Sequence, residues 1–252
     1  MATYKKRGSL KSKVVVESDL SNSKTAEVFQ NLDLGANKAE NFVAKYQNGI
    51  LILLATVTIS VLAYLGYRTY VFNPLKIEAS SEISQAQYYF NLALNEKDSD
   101  SLFKLALNGG NGKYGFLDII ENYPGTPASE LAKYSAGISF IRLKQFNEGI
   151  GLLKEFESDD KILTSLAAGV IGDSYLELNE LDNSLKFYEK ALSINQNSFT
   201  TPKFLFKAAT LASYMKKNQI AEKYYKEISN LYPDFEQINF VKAEIGRLEN
   251  LR

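Results

Sequence analysis

Cysteine and histidine are both absent from the 252 residues of this chain. Without cysteine there is no disulfide, no thiolate nucleophile and no thiolate metal site. Without histidine the chain also lacks the usual general base near neutral pH and the commonest metal ligand of proteins. We therefore expect no enzyme activity, no cofactor and no metal. A site assembled from carboxylates alone is the catalytic alternative that this composition leaves open.

The chain also has no excess of either charge sign, with 29 Lys and Arg against 29 Asp and Glu, but the charges are unevenly placed. Residues 1–48 carry eight basic and five acidic side chains, whereas residues 77–252 carry 19 basic and 24 acidic ones. The mildly acidic larger part argues against a nucleic-acid partner. Residues 1–22 lack apolar periodicity, and we predict that they form a disordered, basic cytosolic tail.

A long apolar run is the strongest single feature. Between Lys45 and Arg68 lie 22 uncharged residues, and roughly 20 residues cross a hydrocarbon core of about 30 Å. The run begins too far from the N-terminus for a cleaved signal peptide, and it has no polar face of the kind a core helix shows. We predict one transmembrane helix over 49–72. Because the tail is basic, we expect a cytosolic N-terminus and a C-terminal domain outside the cytosol, which is the periplasm in a bacterium and the lumen or exterior in a eukaryote.

Residues 23–48 precede this run and have a different pattern. Apolar side chains recur at three- and four-residue steps from Phe29 to Tyr46, which is typical of an amphipathic helix. We interpret the segment as a juxtamembrane helix that lies on lipid or on a partner. The alternative is a helix that merely extends the anchor.

A repeat with a period in the mid-thirties occupies much of the C-terminal part. Its clearest unit, Leu166–Asn197, has a small residue at Gly172, a turn at Asn179–Leu181 and a second apolar stripe. The units before and after it place Gly137 and Ala209 at the small position. The pattern resembles the tetratricopeptide repeat, a 34-residue helical hairpin. A glycine at the helix crossing allows an aromatic ring of the partner helix to pack closely.

The predicted fold is therefore all-α, with a single N-terminal transmembrane helix followed by a tetratricopeptide-repeat α-solenoid over residues 77–252. We divide the solenoid into a degenerate repeat at 78–129, repeats near 130–164, 165–201 and 202–234, and a capping helix at 235–251. In the degenerate repeat we expect two helices, Glu78–Asn95 and Phe116–Tyr123, separated by an insertion that includes the turn-rich Asn108–Gly112.

Two short motifs resemble functional sites. Gly109–Lys113 has the glycines of a phosphate-binding loop, but Leu107 stands where that motif needs glycine and no strand precedes it, so we interpret it as a turn. Asp159 and Asp160 resemble a metal-binding pair. Adjacent residues on a helix point apart, and we interpret them as a helix boundary.

A peptide-binding groove is the functional prediction that follows from the repeat resemblance, since the first helices of such repeats line a groove. The corresponding residues of this chain are Tyr134, Ile138, Arg142, Asp173, Glu177, Phe206, Thr210 and Tyr214. Their aromatic and mildly acidic character suits apolar or basic segments, and the Lys/Asn/Arg set that clamps a C-terminal carboxylate is missing. The alternative is an ordinary solvated surface.

The whole architecture, together with YPGTPAS at Tyr123–Ser129, resembles the YfgM-like family of ancillary subunits of the bacterial Sec translocon. The sequence of Leu102–Tyr123 is similar to that of family members from Bacteroidota. The resemblance implies a cell inner-membrane location with a cytoplasmic N-terminus and a periplasmic C-terminal domain. It implies association with SecYEG and with a periplasmic folding factor such as a PpiD-type prolyl isomerase. It also implies a chaperone or adaptor role in protein export, with transient contact to unfolded exported polypeptides. A structural scaffold for another cell-envelope assembly machine is the alternative.

Overall fold

The computed structural model describes residues 24–97 and 99–251. Within these ranges every extended regular element is helical, and the one strand-like contact is an isolated antiparallel bridge between Gly110 and Lys113. The all-α prediction is thus confirmed, whereas the predicted tail at 1–22 lies outside the described residues. The chain divides into two compact units, Met1–Tyr67 and Arg68–Arg252.

The described part of the first unit is a single helix, α1, which runs from Lys24 to Tyr67 over 44 residues. The described residues contain one helical stretch long and apolar enough to cross a membrane, and its most apolar window has a mean hydropathy of 2.2. Thr56 and Ser60 donate their hydroxyl hydrogens to carbonyls one turn back, at 2.8 and 2.9 Å. These bonds satisfy the hydroxyl groups of an otherwise apolar stretch of the helix.

Helix α1 continues past Asn48 and Gly49 without interruption. The boundary expected there, between a juxtamembrane helix and the span, is therefore not a break in secondary structure. At about 1.5 Å per residue a helix of this length is roughly twice as long as a bilayer core is thick.

The second unit begins with a π-helical turn, Arg68–Phe72, and continues into three helices: α2 (Asn73–Asn95), α3 (Asp100–Asn108) and α4 (Phe116–Asn122). Helix α3 was not predicted, because the interpretation placed an insertion there. It packs against α2 and buries Phe103, Ala106 and Leu107. The first hairpin therefore pairs α2 with α3, and the short α4 packs mainly on the helix that follows it.

Three further hairpins of similar size complete the domain with a final helix. They are α5 (Pro127–Arg142) with α6 (Phe146–Glu155), α7 (Lys161–Glu177) with α8 (Leu181–Ile194), and α9 (Thr201–Tyr214) with α10 (Asn218–Leu231), followed by α11 (Ile238–Glu249) on α10. Helix α7 begins where Asp160 accepts hydrogen bonds from the backbone N–H groups of Ile162 and Leu163, at 2.8 and 3.1 Å. Asp160 is thus the helix boundary that the sequence indicated.

The turn inside each of these three hairpins has the same backbone geometry. Lys144, Asn179 and Lys216 occupy the left-handed region, with φ of 61°, 58° and 58°. The next residue in each turn donates its N–H to a carbonyl five residues back, always at 2.8 Å. This is the closure of a Schellman motif. Because it recurs once per hairpin, the three hairpins are equivalent units.

In two of the hairpins the helices approach closely at a glycine. A Cβ on Gly172 would lie 2.7 Å from ring carbons of Tyr188, which is itself only 1% exposed. The small residue predicted at this crossing is confirmed, and so is the aromatic ring packed against it. In the preceding hairpin Gly137 has the same role, but the side chain against it is the aliphatic Leu153.

Candidate peptide-binding clefts

Two neighbouring clefts open beside the first helices of the repeats. The α7–α9 cleft has a volume of about 440 Å³ and is lined by Asp173, Leu176, Asn179, Leu181, Tyr188, Phe206, Lys207, Thr210, Leu211 and Tyr214. The α5–α7 cleft has a volume of about 490 Å³ and is lined by Ile138, Ile141, Arg142, Lys144, Phe146, Val170, Asp173, Ser174 and Glu177. Asp173 belongs to both, so the two clefts adjoin.

The α7–α9 cleft is the more apolar of the two. Tyr214 is 74% exposed and Leu176 is 42% exposed, while Leu211 is buried below them. Phe206 is half-buried and packs against Phe235 and Phe240, with ring centroids 5.7 and 5.6 Å away. A cleft with an aromatic wall and an apolar floor suits a large apolar side chain of a partner.

Asp173 is held by the protein itself. The Lys207 ammonium donates to both of its carboxylate oxygens, at 2.7 and 2.6 Å, and the Tyr188 hydroxyl donates to one of them at 2.7 Å. Burial, and then the charge of Asp173, raise the pKa of Tyr188 above its usual value, so the phenol remains a donor well into alkaline pH. With three hydrogen bonds already accepted, this carboxylate orders the cleft floor more than it offers a site for a basic partner group.

The α5–α7 cleft has a mixed character. Ile138 and Ile141 form a half-buried apolar floor, while Arg142, Lys144 and Glu177 are exposed at its rim. Charges of both signs at the rim favour polar contacts with a bound segment. The two clefts together therefore offer an apolar site beside a charged one.

Seven of the eight residues predicted for a groove line one of these clefts. Asp173, Phe206, Thr210 and Tyr214 lie in the α7–α9 cleft, and Ile138, Arg142, Asp173 and Glu177 lie in the α5–α7 cleft. Tyr134 lines neither. Its ring packs on Phe156 with centroids 5.3 Å apart, in a buried cluster, and burial raises the pKa of its hydroxyl.

Sequence reasoning missed several lining residues, among them Leu176, Lys207 and Leu211. A signal for Lys207 was present, because this lysine stands 34 residues after Asp173, an interval close to the repeat spacing. Leu176 follows Asp173 by three positions, and so it shares that helix face.

Residues 167–198 match the family model of the tetratricopeptide repeat. Two solved structures of MamA are similar in fold. The first is 16% identical with a TM-score of 0.48, and the match covers 66% of this chain and 81% of that one. The second is 18% identical with a TM-score of 0.41, and the match covers 54% and 77%. Likeness of this degree says nothing about partners. No curated protein matches the sequence.

The matched residues span α7 and α8, whose second helix supplies Tyr188 to the α7–α9 cleft. Residues 24–97 and 99–251 contain no group of three or more acidic, His or Cys side chains placed to hold a metal ion. Stacked helical hairpins with open apolar clefts are the architecture of a protein-interaction scaffold.

Proposed function

We propose that this chain is a single-pass inner-membrane protein that acts as an ancillary subunit of the Sec translocon. Its repeat domain lies in the periplasm and holds segments of exported polypeptides for a chaperone or adaptor role. The observation that carries the proposal is the α7–α9 cleft, an open apolar site in a chain that also has a helix suited to membrane insertion.

The geometry of the cleft supports transient capture of unfolded segments. Unfolded chains expose aromatic and aliphatic side chains, and Leu176, Phe206 and Tyr214 present complementary surface. The cleft is open, so a bound residue stays partly hydrated and its release is fast. Affinity near 1 μM, about −8 kcal/mol, suits a client that must move on.

The placement in the membrane rests on charge and length. The basic residues of 1–48 favour retention of the N-terminus in the cytoplasm, because short basic tails resist translocation. A domain of the size of 77–252 crosses largely regardless of its charge. The partners SecYEG and a PpiD-type prolyl isomerase follow from the family resemblance, which is carried by YPGTPAS at Tyr123–Ser129 and by the overall order of segments.

Site-specific photocrosslinking in living cells tests this function. A photoreactive amino acid at Tyr214 samples the cleft, and one at Leu53 samples the apolar run of α1. We expect nascent exported chains at the Tyr214 position and Sec subunits at the Leu53 position. A matched control at Lys242, exposed on α11, should capture neither class at a comparable level.

Two results would contradict the proposal in different ways. Capture of cell-wall or outer-membrane assembly proteins without any Sec subunit would favour a scaffold for another envelope machine. Capture of Sec subunits with equal client labelling at Tyr214 and Lys242 would retain the translocon partner and reject the cleft as the client site.

A further inference from the structure

The connections between successive hairpins lie along one edge of the second unit, because each antiparallel hairpin returns the chain to the side where it began. We call this the turn edge; it is formed by 123–126, 156–160, 195–200 and 232–237, and it does not include the turns inside the hairpins. Neighbouring parts of it touch: the backbone N–H of Glu157 donates to the Glu130 carboxylate at 2.8 Å. The start of α2 joins the same edge through the Tyr123 hydroxyl, which donates to Glu78 at 3.0 Å.

Two clefts open on the turn edge, away from the α7–α9 cleft. The first, of about 390 Å³, lies between the start of α5 and the connection after α6, with Leu131 and Phe156 among its apolar residues. The second, of about 320 Å³, lies between the start of α9 and the connection after α10. There Phe199 and Leu231 are 57% and 63% exposed. Large apolar side chains this exposed are typical of contact surfaces.

Carboxylates surround both edge clefts. Four of them line the first cleft, where Glu130 pairs with Lys133 and Asp160 caps α7. Four exposed carboxylates then have no ion pair among the described residues: Glu157 and Asp159 at the first cleft, Asp234 and Glu236 at the second.

The second edge cleft already contains a cation–π contact between a lysine and an exposed aromatic ring. The ammonium of Lys203 lies 4.1 Å from the centroid of the exposed Phe199 ring. A cation over an aromatic face is attracted by the ring quadrupole. Further carboxylates beside that ring strengthen the preference of the patch for basic groups that carry apolar stems.

We propose that the turn edge is a second docking surface, for a polypeptide segment in which Lys or Arg side chains alternate with apolar ones. The apolar side chains enter the two edge clefts, and the basic ones meet Glu157, Asp159, Asp234 and Glu236. Anionic lipid headgroups are excluded by the same carboxylates. This surface does not depend on the side of the membrane that the domain occupies, nor on occupation of the α7–α9 cleft.

Peptide binding to the full chain in zwitterionic nanodiscs tests the proposal. The probe is a short fluorescent peptide with Leu and Lys at alternating positions, compared with one carrying Glu for every Lys. Four neutralising substitutions, Glu157→Gln, Asp159→Asn, Asp234→Asn and Glu236→Gln, should weaken binding of the Lys peptide about tenfold in low salt. The paired control Glu96→Gln with Glu148→Gln removes exposed carboxylates near the opposite ends of the helices and should change little.

Each other result overturns the proposal. If the quadruple variant binds the Lys peptide as tightly as the unaltered chain does, charge complementarity does not drive binding. The same holds if the unaltered chain binds the Glu peptide as tightly as the Lys peptide. If Tyr214→Ala weakens binding of the Lys peptide and the quadruple variant does not, the peptide binds in the α7–α9 cleft. Attachment of phosphatidylglycerol vesicles to the nanodisc-embedded chain, with no binding of the Lys peptide, assigns the surface to lipid.

Discussion

Asp173 on α7 and Lys207 on α9 form an ion pair at 2.6 Å, and the two residues are 34 positions apart. Three more side-chain bonds span nearly the same interval: Lys217 to Asp182 and Tyr224 to Glu189, each 35 apart, and Arg247 to Ser213, 34 apart. The equivalent turn residues Asn179 and Lys216 are 37 positions apart, so these bonds join residues near, but not at, equivalent positions of neighbouring units. Side-chain bonds thus connect successive units at intervals close to the repeat spacing.

Glycine 172 should be intolerant of even one added methyl group. Its Cβ would lie 2.7 Å from the buried Tyr188 ring, and we expect Gly172→Ala to lower the free energy of unfolding by about 1–3 kcal/mol. Thermal unfolding of the solubilised chain, followed by far-ultraviolet circular dichroism, measures the loss. The larger Gly172→Leu should be worse.

Gly151 provides a control, because the same substitution there should change the free energy of unfolding in the opposite direction. It lies in the interior of α6 with nothing within 4 Å of the added Cβ. Gly151→Ala should therefore raise the free energy of unfolding by about 0.5–1 kcal/mol through helix propensity. Equal effects at the two glycines would show that Gly172 is not at a helix crossing.

The lysines in the left-handed turns should be replaceable with a gain in stability. Lys144 and Lys216 have φ of 61° and 58°, a conformation that costs a side chain with a Cβ about 1 kcal/mol. Glycine relieves this strain but also frees the unfolded chain. The net effect expected of Lys216→Gly is a gain of about 0.5–1 kcal/mol, measured as a higher midpoint of thermal unfolding.

Asn179 occupies the same turn position, with φ of 58°. Asparagine tolerates this region better than most residues, so Asn179→Ala should destabilise the chain. A Lys216→Gly variant that melts at or below the temperature of the unaltered chain would argue against strain in these turns.

The sequence predicts some features of this fold and not others, because each pattern indicates only the packing that produces it. The period in the mid-thirties and Gly172 place a helix crossing correctly, because close packing demands a small residue there. Helix α3 escaped detection, although Phe103, Ala106 and Leu107 have helical spacing, because nine residues provide little periodicity. Tyr134 was assigned to the groove by alignment alone. Its actual neighbour, Phe156, lies in a connection whose path no period predicts.

Tyr134 and Tyr214 should respond in opposite ways to truncation. Tyr134 packs on Phe156 in a buried cluster, and Tyr134→Ala should cost about 2–3 kcal/mol of stability. Tyr214 is 74% exposed, so Tyr214→Ala should change stability by less than about 0.5 kcal/mol and weaken capture of an unfolded client. Unfolding curves and an aggregation-suppression assay on both variants separate the two roles. Weakened capture in Tyr134→Ala alone would contradict this division.

Tyr123 should make the chain sensitive to alkali. Burial, with the hydrogen bond to Glu78 and its charge, raises the pKa of Tyr123 from 10.0 to about 12. Since the folded-state pKa lies above the unfolded value, its contribution to stability is complete below pH 10 and is lost as the pH rises through 12. Tyr123→Phe should flatten the fall in melting temperature over this interval.

Tyrosinate absorbance gives an independent reading of the same group. The chain contains 16 Tyr and no Trp, so the difference between the titrations of the unaltered chain and Tyr123→Phe isolates one phenol. Glu78→Gln removes the carboxylate that accepts the hydrogen bond of Tyr123 and should shift this titration to lower pH. An unshifted titration would mean that the hydrogen bond to Glu78 does not influence the phenol.

The orientation in the membrane can be tested with single cysteines, because the chain has none of its own. Asn239 is exposed at the start of α11, and Asn239→Cys should react with a membrane-impermeant maleimide added to intact spheroplasts. With the proposed orientation, Ser12→Cys in the basic tail should react only after lysis. Ala55→Cys, within the apolar run, should react in neither case before denaturation. Labelling of Ser12→Cys in intact spheroplasts, with Asn239→Cys protected until lysis, would reverse the orientation and with it the periplasmic placement of the repeat domain.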